Sequence, residues 1–67
     1  MEKLETFTEV LLSLKDKEVL TTNKKDRYIL KKDKIYVYRE GTSFVLSLED
    51  FRDLYQEKTF FVFKEEG

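Results

Sequence analysis

The fold is decided by residues 26–48, which read DRYILKKDKIYVYREGTSFVLSL. Apolar and polar residues alternate in this stretch, as they do in strands with one buried face. If two-residue turns lie at Lys32-Asp33 and Glu40-Gly41, one register collects the apolar residues into two rows. The rows are Tyr28/Val37/Phe44 and Leu30/Ile35/Leu46. A slip by one residue would scatter these side chains over both faces, so the pattern predicts a three-stranded antiparallel meander.

The two predicted turns differ in their chemistry. Gly41 stands where a hairpin needs a positive φ, which glycine adopts without steric cost. Lys32-Asp33 is a weaker turn sequence. It leaves open a longer or irregular first hairpin.

The opposite face of the predicted meander is also partly apolar. It carries the row Ile29/Tyr36/Val45, with Tyr38 beside it. One helix of about 14 residues cannot easily cover both faces of a sheet, and a contiguous apolar row with two tyrosines is typical of an interface. We therefore predict a homodimer whose interface contains Ile29, Tyr36, Tyr38, Val45, Phe61 and Phe63.

Helical spacing flanks the meander on its N-terminal side. Leu4, Phe7, Leu11 and Leu14 follow a 3-4-3 pattern, which predicts a helix over residues 3–16. Thr6 and Glu9 match a capping box, which would start the helix later than Leu4.

A second helix and a last strand follow the meander. Ser47 is the predicted cap of a helix over residues 48–57, with Leu46 and Phe51 as a hydrophobic staple. Residues 59–64 read TFFVFK, a strand that is apolar on both faces. The predicted order is αβββαβ in a single α+β domain over residues 1–67.

The composition excludes most catalytic and metal chemistry. The 67 residues contain neither Cys nor His, so the commonest nucleophile, general base and metal ligands are missing. The second helix carries one acidic stripe, made of Glu49, Asp53 and Glu57. Such a stripe is more often a solvated helix face than a cation site. We expect no enzyme activity, no metal and no cofactor.

Charge is distributed unevenly along a chain whose net charge is −1. Residues 24–34 hold six basic and two acidic residues, a balance of +4. Such a run is more often the solvated edge of a hairpin, so nucleic acid is not the expected partner, and a nucleic-acid-binding module stays as an alternative. The longest apolar run covers residues 60–63, far short of the roughly 20 that span a membrane. We expect a protein with no membrane contact that stays in the cytoplasm.

Residues 46–55 read LSLEDFRDLY and follow a tyrosine-rich strand that ends at Gly41. This combination resembles the small uracil-DNA glycosylase inhibitors of tailed phages with protein-primed genomes, whose motif is L-S-L-x-D-F-x-x-L-Y. The resemblance implies a homodimeric α+β protein in a bacterial host cytoplasm that mimics DNA. It implies an apolar pocket, lined by Phe51 and Tyr55, that captures the minor-groove wedge residue of the enzyme. Leu54 and Asp50 would support the helix, and Glu49, Asp53 and Glu57 would form an acidic rim. Arg52 completes the predicted partner-binding set.

The chain departs from that family in three places. Arg52 stands where the family has an acidic residue, residues 42–45 are an insertion, and the N-terminal helix has no counterpart. Two alternatives share the expected dimer. One is another phage anti-defence or regulatory protein that binds a different protein target, and the other is a structural homodimer.

Overall fold

Two helices and one antiparallel sheet of six strands make up the computed structural model, which describes residues 2–64. The elements are β1 (Glu2–Leu4), α1 (Phe7–Lys15), β2 (Leu20–Thr21), β3 (Arg27–Lys31), β4 (Lys34–Arg39), β5 (Thr42–Ser47), α2 (Leu48–Tyr55) and β6 (Phe60–Val62). The strand order is β1-β6-β2-β3-β4-β5. Neither helix is long and apolar enough to cross a bilayer within these residues.

The predicted meander is confirmed in its register. Val37 pairs with Tyr28 on one side and with Phe44 on the other, and Ile35 pairs with Leu30 and with Leu46. Gly41 has a φ of 79°, as its turn position predicts. The first hairpin is also tight, because Lys31 pairs with Lys34 and the two turn residues between them suffice.

The predicted start of the first helix is wrong. The helix begins at Phe7, since the Thr6 side chain accepts a hydrogen bond from the Glu9 backbone N–H at 3.2 Å and caps the helix. Leu4 belongs to β1 and pairs with Phe60. Its apolar side chain fits the helical spacing by coincidence, because a strand and a helix can present it to the same core.

The predicted αβββαβ order therefore lacks two strands, β1 and β2. They have three and two residues, too few for a period of two to appear in the sequence. Both pair with β6, which is shorter than predicted and lies inside the sheet. The second helix ends at Tyr55, two residues before its predicted end.

Both helices pack on the same face of the sheet. The buried cluster joins Val10 and Leu14 of α1 to Phe51 and Tyr55 of α2. The strand residues of this core are Leu4, Leu20, Tyr28, Ile35, Val37, Phe60 and Val62. The helix α2 is placed by its cap, because the Ser47 hydroxyl accepts from the Asp50 N–H at 3.1 Å. The other face of the sheet is left without a helix.

Candidate functional site: the open face of the sheet

The side of the sheet opposite the helices is called here the open face. Strand residues alternate between the two sides, so the strand register assigns each position to one of them. The open face consists of Lys3, Thr21, Arg27, Ile29, Lys31, Lys34, Tyr36, Tyr38, Ser43, Val45, Ser47 and Phe61, with Val19 and Phe63 at strand ends. Thr21 is buried at 0% exposure, and the other side chains are exposed or half-buried across the width of the sheet.

All six residues of the predicted dimer interface lie on the open face. Tyr38 and Val45 are 37% and 48% exposed. Ile29, Tyr36, Phe61 and Phe63 are half-buried. The structure thus brings together residues from β3, β4, β5 and the C-terminal segment, while their role in a dimer remains a prediction.

The charged strand residues of the open face are all cations, although the whole chain carries −1. They are Lys3, Arg27, Lys31 and Lys34. Two of them contact aromatic rings of the same face. The guanidinium carbon of Arg27 lies 3.7 Å from the Phe63 ring centroid, and the Lys31 ammonium lies 5.4 Å from the Tyr36 centroid. Positive charge and aromatic surface are therefore coupled here by cation–π contacts.

Two grooves on this side of the sheet each combine a phenylalanine with a cation. The larger has a volume of about 460 Å³ and is lined by Val19, Arg27, Ile29 and Phe63. The smaller, of about 320 Å³, is lined by Thr22, Asn23, Lys24 and Phe61. The loop between β2 and β3 forms one wall of the smaller groove.

A buried carboxylate holds that loop in place. Asp26 is 4% exposed and accepts hydrogen bonds from the hydroxyls of Thr21 (2.8 Å), Thr22 (2.6 Å) and Tyr28 (3.1 Å), and from the Thr22 N–H (2.9 Å). Burial alone would raise the pKa of Asp26, but these hydrogen bonds outweigh it and the pKa lies below the usual value. Asp26 is therefore an anchor of the loop.

Arg39 closes the same end of the core on the helical side. One of its terminal N–H groups donates to the hydroxyl oxygens of Tyr55 at 3.1 Å and of Tyr28 at 3.5 Å. Burial raises the pKa of Tyr28 to about 12, against the opposing hydrogen bond from Arg39. These residues border an open cleft of about 630 Å³ and tie β3, β4 and α2 together.

The aromatic residues that the resemblance assigned to a partner pocket lie in the core. Phe51 is 0% exposed, and its ring lies 5.4–6.1 Å from the rings of Tyr55, Phe7, Phe60 and Tyr28. Tyr55 is 9% exposed, with its hydroxyl at Arg39. The staple position turns Phe51 inward, so this single chain leaves no Phe51 surface for a ligand.

The remaining residues assigned to the partner site lie on the outer side of α2. Leu54 is 62% exposed, and the charged residues Glu49, Asp50, Arg52, Asp53 and Glu57 are exposed as well. The structure thus gathers these six residues and separates them from Phe51. No group of three or more carboxylates over residues 2–64 is arranged to hold a metal ion.

The sequence does not reveal the full basic character of the open face, because that character depends on segments far apart in the chain. Helical spacing predicts Lys3 in the first helix, whereas Lys3 lies in β1, and the contact between Arg27 and Phe63 joins residues remote in sequence. The available signal was the alternation of Arg27, Ile29 and Lys31, which puts two cations on the side of the apolar row.

Comparison with protein-family models, with curated proteins and with solved structures gave no match for this chain.

Proposed function

We propose that the protein binds single-stranded nucleic acid on the open face. The observation that carries this proposal is the composition of that face: its charged strand residues are all cations, and four aromatic side chains lie among them. The four are Tyr36, Tyr38, Phe61 and Phe63. The alternative raised by the basic run of residues 24–34 thus has more support than the sequence alone provided.

Single strands fit this chemistry because their bases and phosphates are both available. Aromatic rings stack on unpaired bases, at about 1–3 kcal/mol per base, and lysine or arginine neutralises the adjacent phosphates. In the two grooves one phenylalanine stands next to one cation, which suits a base next to its phosphate. This pairing needs neither a catalytic base nor a cofactor.

Double-stranded DNA is a poorer fit to the same surface. Six strands spaced about 4.8 Å apart make a sheet roughly 24 Å wide, and the major groove is only about 12 Å wide. The paired bases of a duplex are also stacked on one another, so their faces are closed to aromatic side chains.

A second copy of this chain is a weaker candidate for the open face. Two copies packed through it would set one cationic face, with Arg27, Lys31 and Lys34, against another, and like charges in an interface oppose association. The homodimer nevertheless remains a proposal, since the row Ile29/Tyr36/Val45 is apolar. Light scattering at micromolar concentration decides it by giving either 8.1 kDa or twice that mass.

The direct test is fluorescence anisotropy with labelled single strands of about 12 nucleotides, with a duplex of the same sequence as control. If four phosphates are neutralised, affinity should fall roughly 50-fold between about 50 and 200 mM salt. The single strand should bind more tightly than the duplex. The proposal is refuted if neither the single strand nor the duplex binds at the lower salt concentration, whether the protein is a monomer or a dimer.

Inhibition of uracil-DNA glycosylase is the second candidate, and the outer side of α2 favours it. The acidic residues Glu49 and Asp53 and the apolar Leu54 are exposed on α2, and Glu57 is exposed in the turn after it, on the side of the molecule away from the cationic face. Such a surface suits a basic DNA-binding track, where its charges would mainly speed association.

An excision assay on uracil-containing DNA separates the two candidates. Inhibition by a micromolar excess of protein, lost in Leu54→Ala and Asp53→Lys but kept in Lys31→Ala, would support the inhibitor. Unchanged excision with glycosylases of several bacteria would rule it out. Because a protein that binds DNA could also shield the substrate, excess uracil-free competitor DNA is included: it restores excision only when the protein acts on the DNA.

A further inference from the structure

Three lysines adopt a left-handed backbone conformation that side chains disfavour. The φ angles are 64° at Lys17, 72° at Lys24 and 56° at Lys32. Glycine adopts such angles freely, and Asn does so more readily than lysine. The chain does use glycine at Gly41, whose φ of 79° belongs to the turn between β4 and β5.

Two of the three lysines flank β3 in the chain, Lys24 three residues before it and Lys32 directly after it. Lys24 lies in the loop before β3 and lines the groove that contains Phe61. Lys32 lies in the turn after β3, next to Lys31 and two residues from Lys34. Lys17 has a different setting, since it directly follows the C-cap of α1, a helix on the other side of the sheet.

The backbone at these two positions is held by the fold around it. The N–H of Lys24 donates to the Thr21 hydroxyl at 2.8 Å, and that hydroxyl donates in turn to Asp26. The pairing of Lys31 with Lys34 limits the turn at Lys32 to two residues. A residue without a side chain would satisfy the same constraints at a lower conformational cost.

We propose that Lys24 and Lys32 are phosphate-binding residues, kept at positions that favour glycine because their charge contacts the backbone of the bound strand. This inference rests on the proposed binding of single-stranded nucleic acid. It also implies that the bound strand follows the direction of β3. Arg27 and Lys31 lie on the open face of β3, and the two lysines add positive charge before and after this strand.

The turn of the second hairpin contains glycine and no lysine, the opposite of the first hairpin, and this difference supports the proposal. There the turn is Glu40-Gly41, with no cation, and glycine occupies the position with positive φ. Residues at strained backbone positions concentrate at functional sites, where the strain is compensated by the surrounding structure. Lys32 in the first hairpin and Lys24 in the preceding loop fit that rule if their charges bind phosphate.

The test compares glycine variants of all three lysines. Lys24→Gly and Lys32→Gly should each raise the melting temperature by a few degrees and weaken binding to a labelled single strand several-fold. The slope of log affinity against log salt should become shallower by about 0.7 for each lost phosphate contact. Lys17→Gly is the matched control: it should raise the melting temperature in the same way and leave both affinity and slope unchanged.

Asn variants of the same lysines guard against the added flexibility of glycine, because Asn tolerates positive φ and keeps a side chain. If Lys24→Gly, Lys32→Gly and the Asn variants keep the wild-type affinity and salt slope, the inference is wrong, whatever their stability. If the variants melt at lower temperature, its premise of a disfavoured lysine is wrong. The proposed binding of single-stranded nucleic acid is refuted by a different result, namely that the wild-type protein itself does not bind the strand.

Discussion

The guanidinium of Arg27 lies 3.7 Å from the centroid of the Phe63 ring and thereby connects β3 to the segment that follows β6. The strand β2 lies between them in the sheet, so this contact reaches across a whole strand. It places a permanent positive charge directly on an aromatic side chain of the open face. In the proposed function, this contact would place a cation for a phosphate beside an aromatic residue of the binding surface.

Removing an aromatic ring from the open face should weaken binding more than it weakens folding. Tyr36→Ala and Phe63→Ala are each expected to cost about 1–3 kcal/mol of single-strand affinity, the usual contribution of one base stack. Fluorescence anisotropy measures the loss, and circular dichroism confirms the fold. Leu54→Ala is the control, because it removes an exposed apolar side chain from α2 on the other side. Equal affinities for all three variants would contradict the assigned surface.

Truncation of Phe51 should unfold the domain. Its ring is fully buried among four other aromatic rings, and Phe→Ala in such a core costs about 3–5 kcal/mol. That loss is a large share of the total free energy of unfolding expected for a 67-residue chain. Urea unfolding should show Phe51→Ala unfolded or nearly so, with Leu54→Ala close to wild type. A stably folded Phe51→Ala protein would mean that the core is elsewhere.

Substitution of Gly41 isolates the cost of its backbone angle. A side chain at this position would meet no atom within 4 Å, so packing adds nothing to the cost. At a φ of 79°, Gly41→Val should destabilise the protein by more than about 1 kcal/mol, because a β-branched residue resists this region. Gly41→Asn should cost clearly less. Thermal melts of both variants test the difference, and equal losses would argue against a conformational cause.

Acid should destabilise the protein through Asp26. The hydrogen bonds hold the folded pKa of Asp26 below its usual value of 3.8, so the stabilisation is complete above about that pH and is lost as the pH falls through the lowered pKa. Asp26→Asn breaks the same network, and we expect it to lower stability at pH 7 by about 1–3 kcal/mol. Its difference from wild type should shrink at low pH.

Melting temperatures between pH 7 and strong acid measure this effect, with Asp53→Asn as the control on the exposed side of α2. A gap between wild type and Asp26→Asn that stays constant down to the lowest pH would show that the charge of Asp26 adds nothing to stability.

Local sequence determined the parts of the fold that are close in the chain. Alternation and turn length determined the register from Tyr28 to Leu46, because a slip of one residue would expose the whole apolar set. Ser47 determined the start of α2 through its hydrogen bond to the Asp50 N–H. Such features depend on neighbours within a few residues, so composition and spacing suffice to predict them.

The tertiary structure decided what distant segments do together. The strands β1 and β2 exist because β6 pairs with both of them, and residues 2–4 could otherwise have extended the helix. Local spacing already indicated that Phe51 turns inward, but only the packing of both helices on one face decided that the other face stays open. The cationic and aromatic surface arises from the contact of Arg27 with Phe63 across β2 and from Lys3 on the same face of β1. Such juxtapositions of remote strands depend on strand order and not on local sequence.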